Sequence, residues 1–281
     1  MSVDRAIAIG ASAGGLDVIR EIVRALPRDL PAAVFVVMHV PRAARSMLPE
    51  ILARSTRLTV VSPRDGHPVE AAHVYVAPPD HHMVLHGGAL RLSRGPVENH
   101  HRPAIDPLFR SVAASCGAGA VGVIVSGNLD DGTAGLLAIQ RAGGTTVVQS
   151  PEEAMYSGMP RSAVEHVSVD HVVSGSEIGP VVAKLVMEPP KAEPVRAAAA
   201  PLSEARIAEF DVQAAHEAQR AAVPSSFVCP DCGGTLFEVN DGDLVRYRCR
   251  VGHAYGLEGL LGQKAADVEG ALWSAVRALE E

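Results

Sequence analysis

The segment Gly10-Ala11-Ser12-Ala13-Gly14-Gly15 follows the apolar run Ala6–Ile9 and leads into a stretch of helical period marked by Leu16, Ile19, Ile22, Val23 and Leu26. Gly10, Ser12 and Gly14 make a G-x-S-x-G pattern. On a tight strand-to-helix turn such a serine is held above the carboxyl edge of a sheet. Its neighbours must be small, and amides at the start of the helix face it as candidate oxyanion donors. The chemistry on offer is acyl transfer by an activated serine. The competing reading is a phosphate-binding glycine turn. It fits poorly, because residue 12 is serine where G-x-G-x-x-G needs glycine and no Gly-Lys-Ser/Thr follows.

A nucleophilic serine needs a base, and the base needs a carboxylate to orient it. Val34–Met38 reads as a second buried strand, and His39 is the one histidine of twelve that directly ends such a run. His81, His82, His100 and His101 fall in polar stretches, either facing a substrate or merely solvated. A third buried run, Ala120–Val125, leads into Ser126-Gly127-Asn128-Leu129-Asp130-Asp131-Gly132 and then a helix. An Asp in that loop either orients the base or caps the helix. Three strand ends thus supply Ser, His and Asp in that order, unlike the Ser, Asp, His order of α/β-hydrolases, although triads occur in several orders.

A second constellation lies near the C-terminus. Cys229-Pro230-Asp231-Cys232 is followed after sixteen residues by Cys249-Arg250-Val251-Gly252-His253. A C-x₂-C pair and a C-x₃-H pair can close a tetrahedron around zinc. Between them, Leu236–Val239 and Leu244–Arg248 flank Asn240-Asp241-Gly242-Asp243, a hairpin signal. The expectation is a zinc-ribbon-like unit with a structural metal held by Cys229, Cys232, Cys249 and His253, since so short a segment needs a staple. The fourth cysteine, Cys116, stands alone.

Positioning these groups requires a sheet whose strands end on one edge. Strand-like runs alternate with helical ones from Arg5 to about Val186, which predicts an α/β fold with a doubly wound, mainly parallel sheet. The stretch 66–94 breaks the rhythm. Its short runs Val74–Ala77, His82–Leu85 and Ala89–Ser93, between Pro/Asp and Gly/Gly breaks, predict an antiparallel hairpin region. The expected organisation is a catalytic domain at 1–187, a Pro- and Ala-rich linker at 188–201, and an appendage at 202–281. In the appendage a helix (202–222), the Cys/His unit and a final helix (257–281) follow one another. Leu260, Leu261, Val268, Leu272, Val276 and Leu279 lie near one stripe of that last helix.

Taken together, several motifs resemble the catalytic domain of CheB-type protein-glutamate methylesterases. They are Ile9-Gly10-x-Ser12-x-Gly14-Gly15, the strand ending in His39, Gly127-x-x-x-Asp131-Gly132-x-x-Gly135, Tyr75–Met83, Arg102–Phe109 and Gly158-Met159-Pro160-Arg161, in the family's order over residues 5–186. The resemblance implies Ser12 as nucleophile, His39 as base and Asp131, rather than Asp130, as the orienting carboxylate, with oxyanion amides near Ala13 and in the 127–130 loop. It implies hydrolysis of glutamate γ-methyl esters on a methylated chemoreceptor or similar receptor protein, without a catalytic cofactor, and chemosensory signalling proteins as further partners. Full-length family members carry an N-terminal phospho-receiver domain. This chain opens on the first catalytic strand, so control by that domain in cis is not expected. The alternatives are deamidation of receptor glutamine through the same acyl intermediate or hydrolysis of another protein side chain, and a non-catalytic regulatory or partner-binding module of the same fold. The latter is disfavoured by the presence of all three triad residues.

Composition narrows the field further. A net charge of −7 over 281 residues carries no basic footprint, which argues against a nucleic-acid partner. No apolar run approaches bilayer length and no signal peptide is evident, so a cytoplasmic protein without membrane insertion is expected. With only 4% aromatic residues, the core must be built from Ala, Val, Ile and Leu.

Overall fold

The computed structural model describes residues 4–43, 45–189, 204, 206–209, 211, 213–214, 217 and 222–281. The expected linker beyond residue 189 and most of the helix expected at 202–222 lie outside the described residues.

Strand β1 (Ala6–Ala11) occupies the middle of a seven-stranded sheet. On one side lie β2 (Ala33–Met38), β5 (His73–Val76) and β3 (Thr59–Val61), and on the other β8 (Ala120–Ile124), β9 (Thr145–Gln149) and β10 (His171–Val173). Every pairing in this sheet is parallel. β1, β2 and β8 are apolar almost throughout and buried, as strands covered on both faces must be, and β9 is buried too although it carries Thr145, Thr146 and Gln149. Helices α1 (Leu16–Ala25) and α6 (Gly175–Met187) cover one face, burying Ile19, Ile22, Ile178 and Val182 against Ile7, Ile9 and Val123. Helices α3 (Ile105–Cys116), α4 (Thr133–Arg141) and α5 (Gly158–His166) cover the other, where Leu108, Phe109, Leu136 and Met159 meet Ala8, Phe35 and Ile124. A short helix α2 (Leu48–Ala53) precedes β3.

The chain leaves β1 toward β2 and later returns to add β8 on the opposite flank. The winding therefore reverses at β1, and in doubly wound sheets the crevice at that reversal is where ligands bind.

The irregular middle sorts differently from the sequence pattern. Val74–Val76 is a parallel strand of the main sheet, paired with Val34–Val36 and Val60–Val61. The antiparallel part is a separate three-stranded sheet of β4 (His67–Pro68), β7 (Ala89–Ser93) and β6 (His82–His86). The pattern misleads here because a four-residue run has the same look in either kind of sheet.

The C-terminal unit is a four-stranded antiparallel sheet, β11 (Val223–Val228), β12 (Thr235–Asp241), β13 (Leu244–Cys249) and β14 (Ala254–Gly256), continued by the 24-residue helix α7 (Leu257–Glu280). Of the apolar stripe expected along α7, Leu260 is buried while Leu261, Val268, Leu272, Val276 and Leu279 are exposed. Part of the contact between this unit and the α/β part of the chain is charged. Glu98 pairs with Arg110 of α3 at 2.6 Å and with Arg248 of β13 at 3.5 Å, and Glu204 pairs with Arg246 at 2.7 Å, Arg248 at 3.3 Å and Arg110 at 3.4 Å. All five side chains are almost fully withdrawn from solvent. A buried network of this kind adds little over an apolar contact but fixes one arrangement, and removing one member leaves its partners charged and unpaired. Arg110→Ala is expected to lower the unfolding free energy by about 3–5 kcal/mol. Urea denaturation would read this, and a loss below about 1 kcal/mol would show that the network does not hold the two parts together.

Candidate active site and metal cluster

The ladder at the sheet's carboxyl edge runs past the strands and ties the three candidate residues together. His39 N–H donates to Ala11 O at 3.1 Å, Ser12 N–H to Ser126 O at 3.0 Å, and Val125 N–H to Gly10 O at 3.0 Å. The turn that follows Ser12 needs glycine. Gly14 has φ of +74°, and a Cβ there would meet the Ser126 hydroxyl at 2.8 Å.

Ser12 Oγ lies 3.1 Å from His39 Nδ1, and His39 Nε2 lies 2.7 Å from Asp131 Oδ2. The ionised carboxylate can only accept, so the neutral ring carries its proton on Nε2 and presents Nδ1 as acceptor to the serine hydroxyl. The ring is thus turned end for end relative to the serine-protease template. Asp131 is buried and also accepts from Ile105 N–H at 2.7 Å, Asp106 N–H at 3.3 Å and Asn99 Nδ2 at 2.9 Å. Burial alone would raise its pKa. The His39 hydrogen bond and charge, with the Ile105 and Asn99 donors, outweigh that and hold the carboxyl well below the usual range.

Asp130 does different work. It is buried beside the start of α7 and accepts Glu258 N–H at 3.2 Å. Burial first, then the charges of Glu258 and Asp131, push it up to about 6. The other acid of the site, Asp106, accepts Gly135 N–H at 2.6 Å and Asn99 Nδ2 at 3.0 Å. Burial and the neighbouring Asp131 drive its pKa up. Of the three acids, Asp131 is the one whose ionised form its surroundings favour.

The four loop histidines separate. His101 stacks on His39, with ring centroids 3.5 Å apart and planes 13° apart. Burial, then the charge of His39, push it down to about 3, so it stays neutral and shields one face of the His39 ring. His82 is neither solvated nor facing the site. It is wholly buried, donating from Nε2 to Pro96 O at 2.9 Å and accepting Ala104 N–H on Nδ1 at 3.3 Å. His100 donates to Gly259 O at 3.0 Å and His81 to Pro79 O at 3.0 Å. Asn99 and the His101 stack were not read from the sequence. The only signal was their place just before the Arg102–Phe109 motif. Of the loop expected to supply oxyanion amides, Gly127 N–H is already committed to Tyr156 O at 2.9 Å.

Cys229, Cys232, Cys249 and His253 gather so that their ligand atoms all lie within 4.8 Å of one another. Three separations are 3.5–3.7 Å: Cys229 Sγ to His253 Nδ1, Cys232 Sγ to Cys249 Sγ, and Cys249 Sγ to His253 Nδ1. A tetrahedron with metal–sulfur bonds of about 2.3 Å has edges of roughly 3.8 Å, so the cluster fits a metal ion of zinc's size and ligand taste.

Comparison with known proteins places this geometry in context. Residues 7–182 match the model of the CheB methylesterase family. A protein-glutamate methylesterase/protein-glutamine glutaminase of Yersinia pestis is 41% identical over 182 residues, covering 63% of this chain and 52% of that protein. The protein of the same name from Salmonella typhimurium is 40% identical with the same coverage. The chain thus spans about half the length of the curated relatives it matches. The crystal structure of the Thermotoga maritima CheB methylesterase catalytic domain superposes with a TM-score of 0.61 at 30% identity, covering 64% of this chain and 98% of that one.

Asp130 yields a pH-dependent expectation. A carboxyl whose pKa rises from 3.8 to about 6 on folding binds its proton more tightly in the folded chain. Its contribution to stability is therefore present at low pH and lost as pH rises from about 4 to about 6. Asp130→Asn keeps an oxygen acceptor for Glu258 N–H and removes the charge. Its melting temperature is expected to exceed that of the native chain at pH 8, with the gap closing toward pH 4. A lower melting temperature at pH 8 would mean that the start of α7 favours the ionised carboxylate.

Proposed function

We propose that this chain, which belongs to the CheB methylesterase family, is a serine esterase that hydrolyses glutamate γ-methyl esters on a receptor protein to glutamate and methanol. The observation that carries this reading is the single histidine ring bridging Ser12 at 3.1 Å and Asp131 at 2.7 Å. Ser12 Oγ attacks the ester carbonyl while His39 Nδ1 takes its proton, and Asp131 holds the Nε2–H and stabilises the imidazolium. Collapse of the tetrahedral intermediate expels methoxide, which leaves as methanol with the proton from His39. The glutamyl group remains on Ser12 as an ester, joining receptor and enzyme covalently. Water, deprotonated by His39, then releases the glutamate. Amides at the start of α1, near Ala13, are the assigned oxyanion donors. No cofactor enters these steps.

The relatives' name also includes protein-glutamine glutaminase. That favours a second activity here, since a receptor glutamine would give the same glutamyl-Ser12 ester with ammonia as the leaving group. A nucleotide at the glycine turn is disfavoured, because Ser12 is engaged by His39.

In this reading residues 1–187 form the catalytic domain, 188–201 a linker, and 202–281 an appendage whose four ligands hold a structural zinc. Closed Cys₃His sets of this kind stabilise folds and leave no open coordination position for chemistry. Methylated chemoreceptors and chemosensory proteins are the assigned partners, in the cytoplasm. Among the described residues no helix is long and apolar enough to cross a membrane.

Methanol release from methylated chemoreceptor membranes is expected with the native chain and not with Ser12→Ala. Asp131→Asn is expected to retain about 10⁻⁴ of the rate, the size of loss that follows when a triad base is left in the wrong tautomer. Full activity in Ser12→Ala would refute the reading. For the appendage, metal analysis is expected to find one zinc per native chain and none in Cys232→Ser. The variant's ribbon should also unfold ahead of the catalytic domain. A metal-free native chain of undiminished stability would refute the zinc assignment.

A further inference from the structure

The segment Val97–His101 is gripped from two sides. The triad lies on one side of it and the C-terminal unit on the other. Ala254 N–H donates to Val97 O at 3.2 Å, and Asn99 N–H donates to Ala254 O at 2.8 Å. His100 binds Gly259 O at 3.0 Å, with its ring 5.0 Å from that of Tyr255.

At the centre of this segment, the Asn99 side chain has each of its polar atoms in use. Its Nδ2 donates to Asp131 Oδ1 at 2.9 Å and to Asp106 Oδ2 at 3.0 Å, while its Oδ1 accepts Gly256 N–H at 2.8 Å. The residue is 5% exposed. These three partners fix the orientation of the amide. Rotating it by half a turn would set its oxygen against two carboxylates and its NH₂ against an N–H. The backbone is in the left-handed region, with φ of 48°, which asparagine tolerates better than most residues.

We infer that Asn99 is a positioning residue for the triad, and that the C-terminal unit sets its position through the Gly256 amide. The inference rests on the triad reading above. If the Gly256 amide withdraws, the Asn99 oxygen is left buried without a donor, which is unfavourable. The amide then gains by rotating away, and Asp131 loses a donor on the oxygen that does not hold His39. The seating of the ribbon and the geometry of Asp131 are thus coupled, and the coupling runs in both directions. A protein that binds the ribbon and strains its seat weakens the nucleophile, and one that tightens the seat strengthens it.

The test is the rate at which a fluorophosphonate labels Ser12 in the full chain between pH 5 and 9, a probe that needs no receptor. The Ser12 oxygen bonds to phosphorus, His39 takes the serine proton, and the P–F bond breaks to release fluoride. Asn99→Gly keeps the left-handed backbone and removes the amide. It is expected to slow labelling roughly tenfold or more and to move the midpoint of the pH profile, which a simple loss of stability would not do. At Gly256 a Cβ would fall on the Asp130 carboxylate, so Gly256→Ala displaces the amide from Asn99. It is expected to slow labelling in the native background, to have no further effect in Asn99→Gly, and to be rescued by Asp130→Ala. Native rate and midpoint in Asn99→Gly would overturn the inference, as would an equal slowing by Gly256→Ala in both backgrounds. Should Asn99→Gly not fold, Asn99→Asp carries the same test, since it can accept from Gly256 but cannot donate to Asp131. Failure of the native chain to label at Ser12 would instead sink the triad reading itself.

Discussion

The carboxylate of Asp131 accepts from His39, Ile105, Asp106 and Asn99, and nearly every feature around the site serves those four contacts. A buried carboxylate without partners would take up a proton rather than stay charged. Here the donors come from three separate places. His39 ends β2, Ile105 and Asp106 open α3, and Asn99 sits in the segment under the C-terminal unit. The sheet brings the first of these within reach by winding both ways from β1, so that the loops after β1, β2 and β8 share one edge.

The same carboxylate explains why its acidic neighbours behave so differently. Asp130 is adjacent in sequence and Asp106 adjacent in space, yet both are pushed toward the neutral form by burial and by the charge of Asp131. Three carboxylates in one dry site repel, and of the three only Asp131 has its ionised form favoured by its surroundings. Asp130 spends its acceptor on the first turn of α7, and Asp106 holds α4 through Gly135. The neutral His101 ring stacked on His39 adds shape without adding charge.

Much of this was legible in the residues alone, for physical reasons. Ser12, His39 and Asp131 each follow a short buried strand, and β-branched runs ending in Gly, His or a Gly/Asp loop carry strong local signals. That Cys229, Cys232, Cys249 and His253 would gather is equally plain from their C-x₂-C and C-x₃-H spacings. What escaped depends on contacts between distant parts of the chain. Asn99 meets Asp131 across 32 positions and Gly256 across 157, and no local pattern encodes either. His82 lies in a polar stretch but faces inward, since its two ring nitrogens bridge Pro96 and Ala104. The strand at Val74–Val76 was placed with the hairpins that follow it, because so short a run does not say which sheet will take it.

In the proposed reaction Ser12, driven by the His39–Asp131 pair, becomes covalently joined to the glutamyl group. Mass spectrometry of an acid-quenched mixture of the chain with a methylated receptor fragment tests this most directly. The expected result is an adduct on Ser12 equal in mass to the fragment less methanol, appearing with the first turnover and decaying as glutamate forms. Methanol released in step with turnover, with Ser12 never modified, would contradict it.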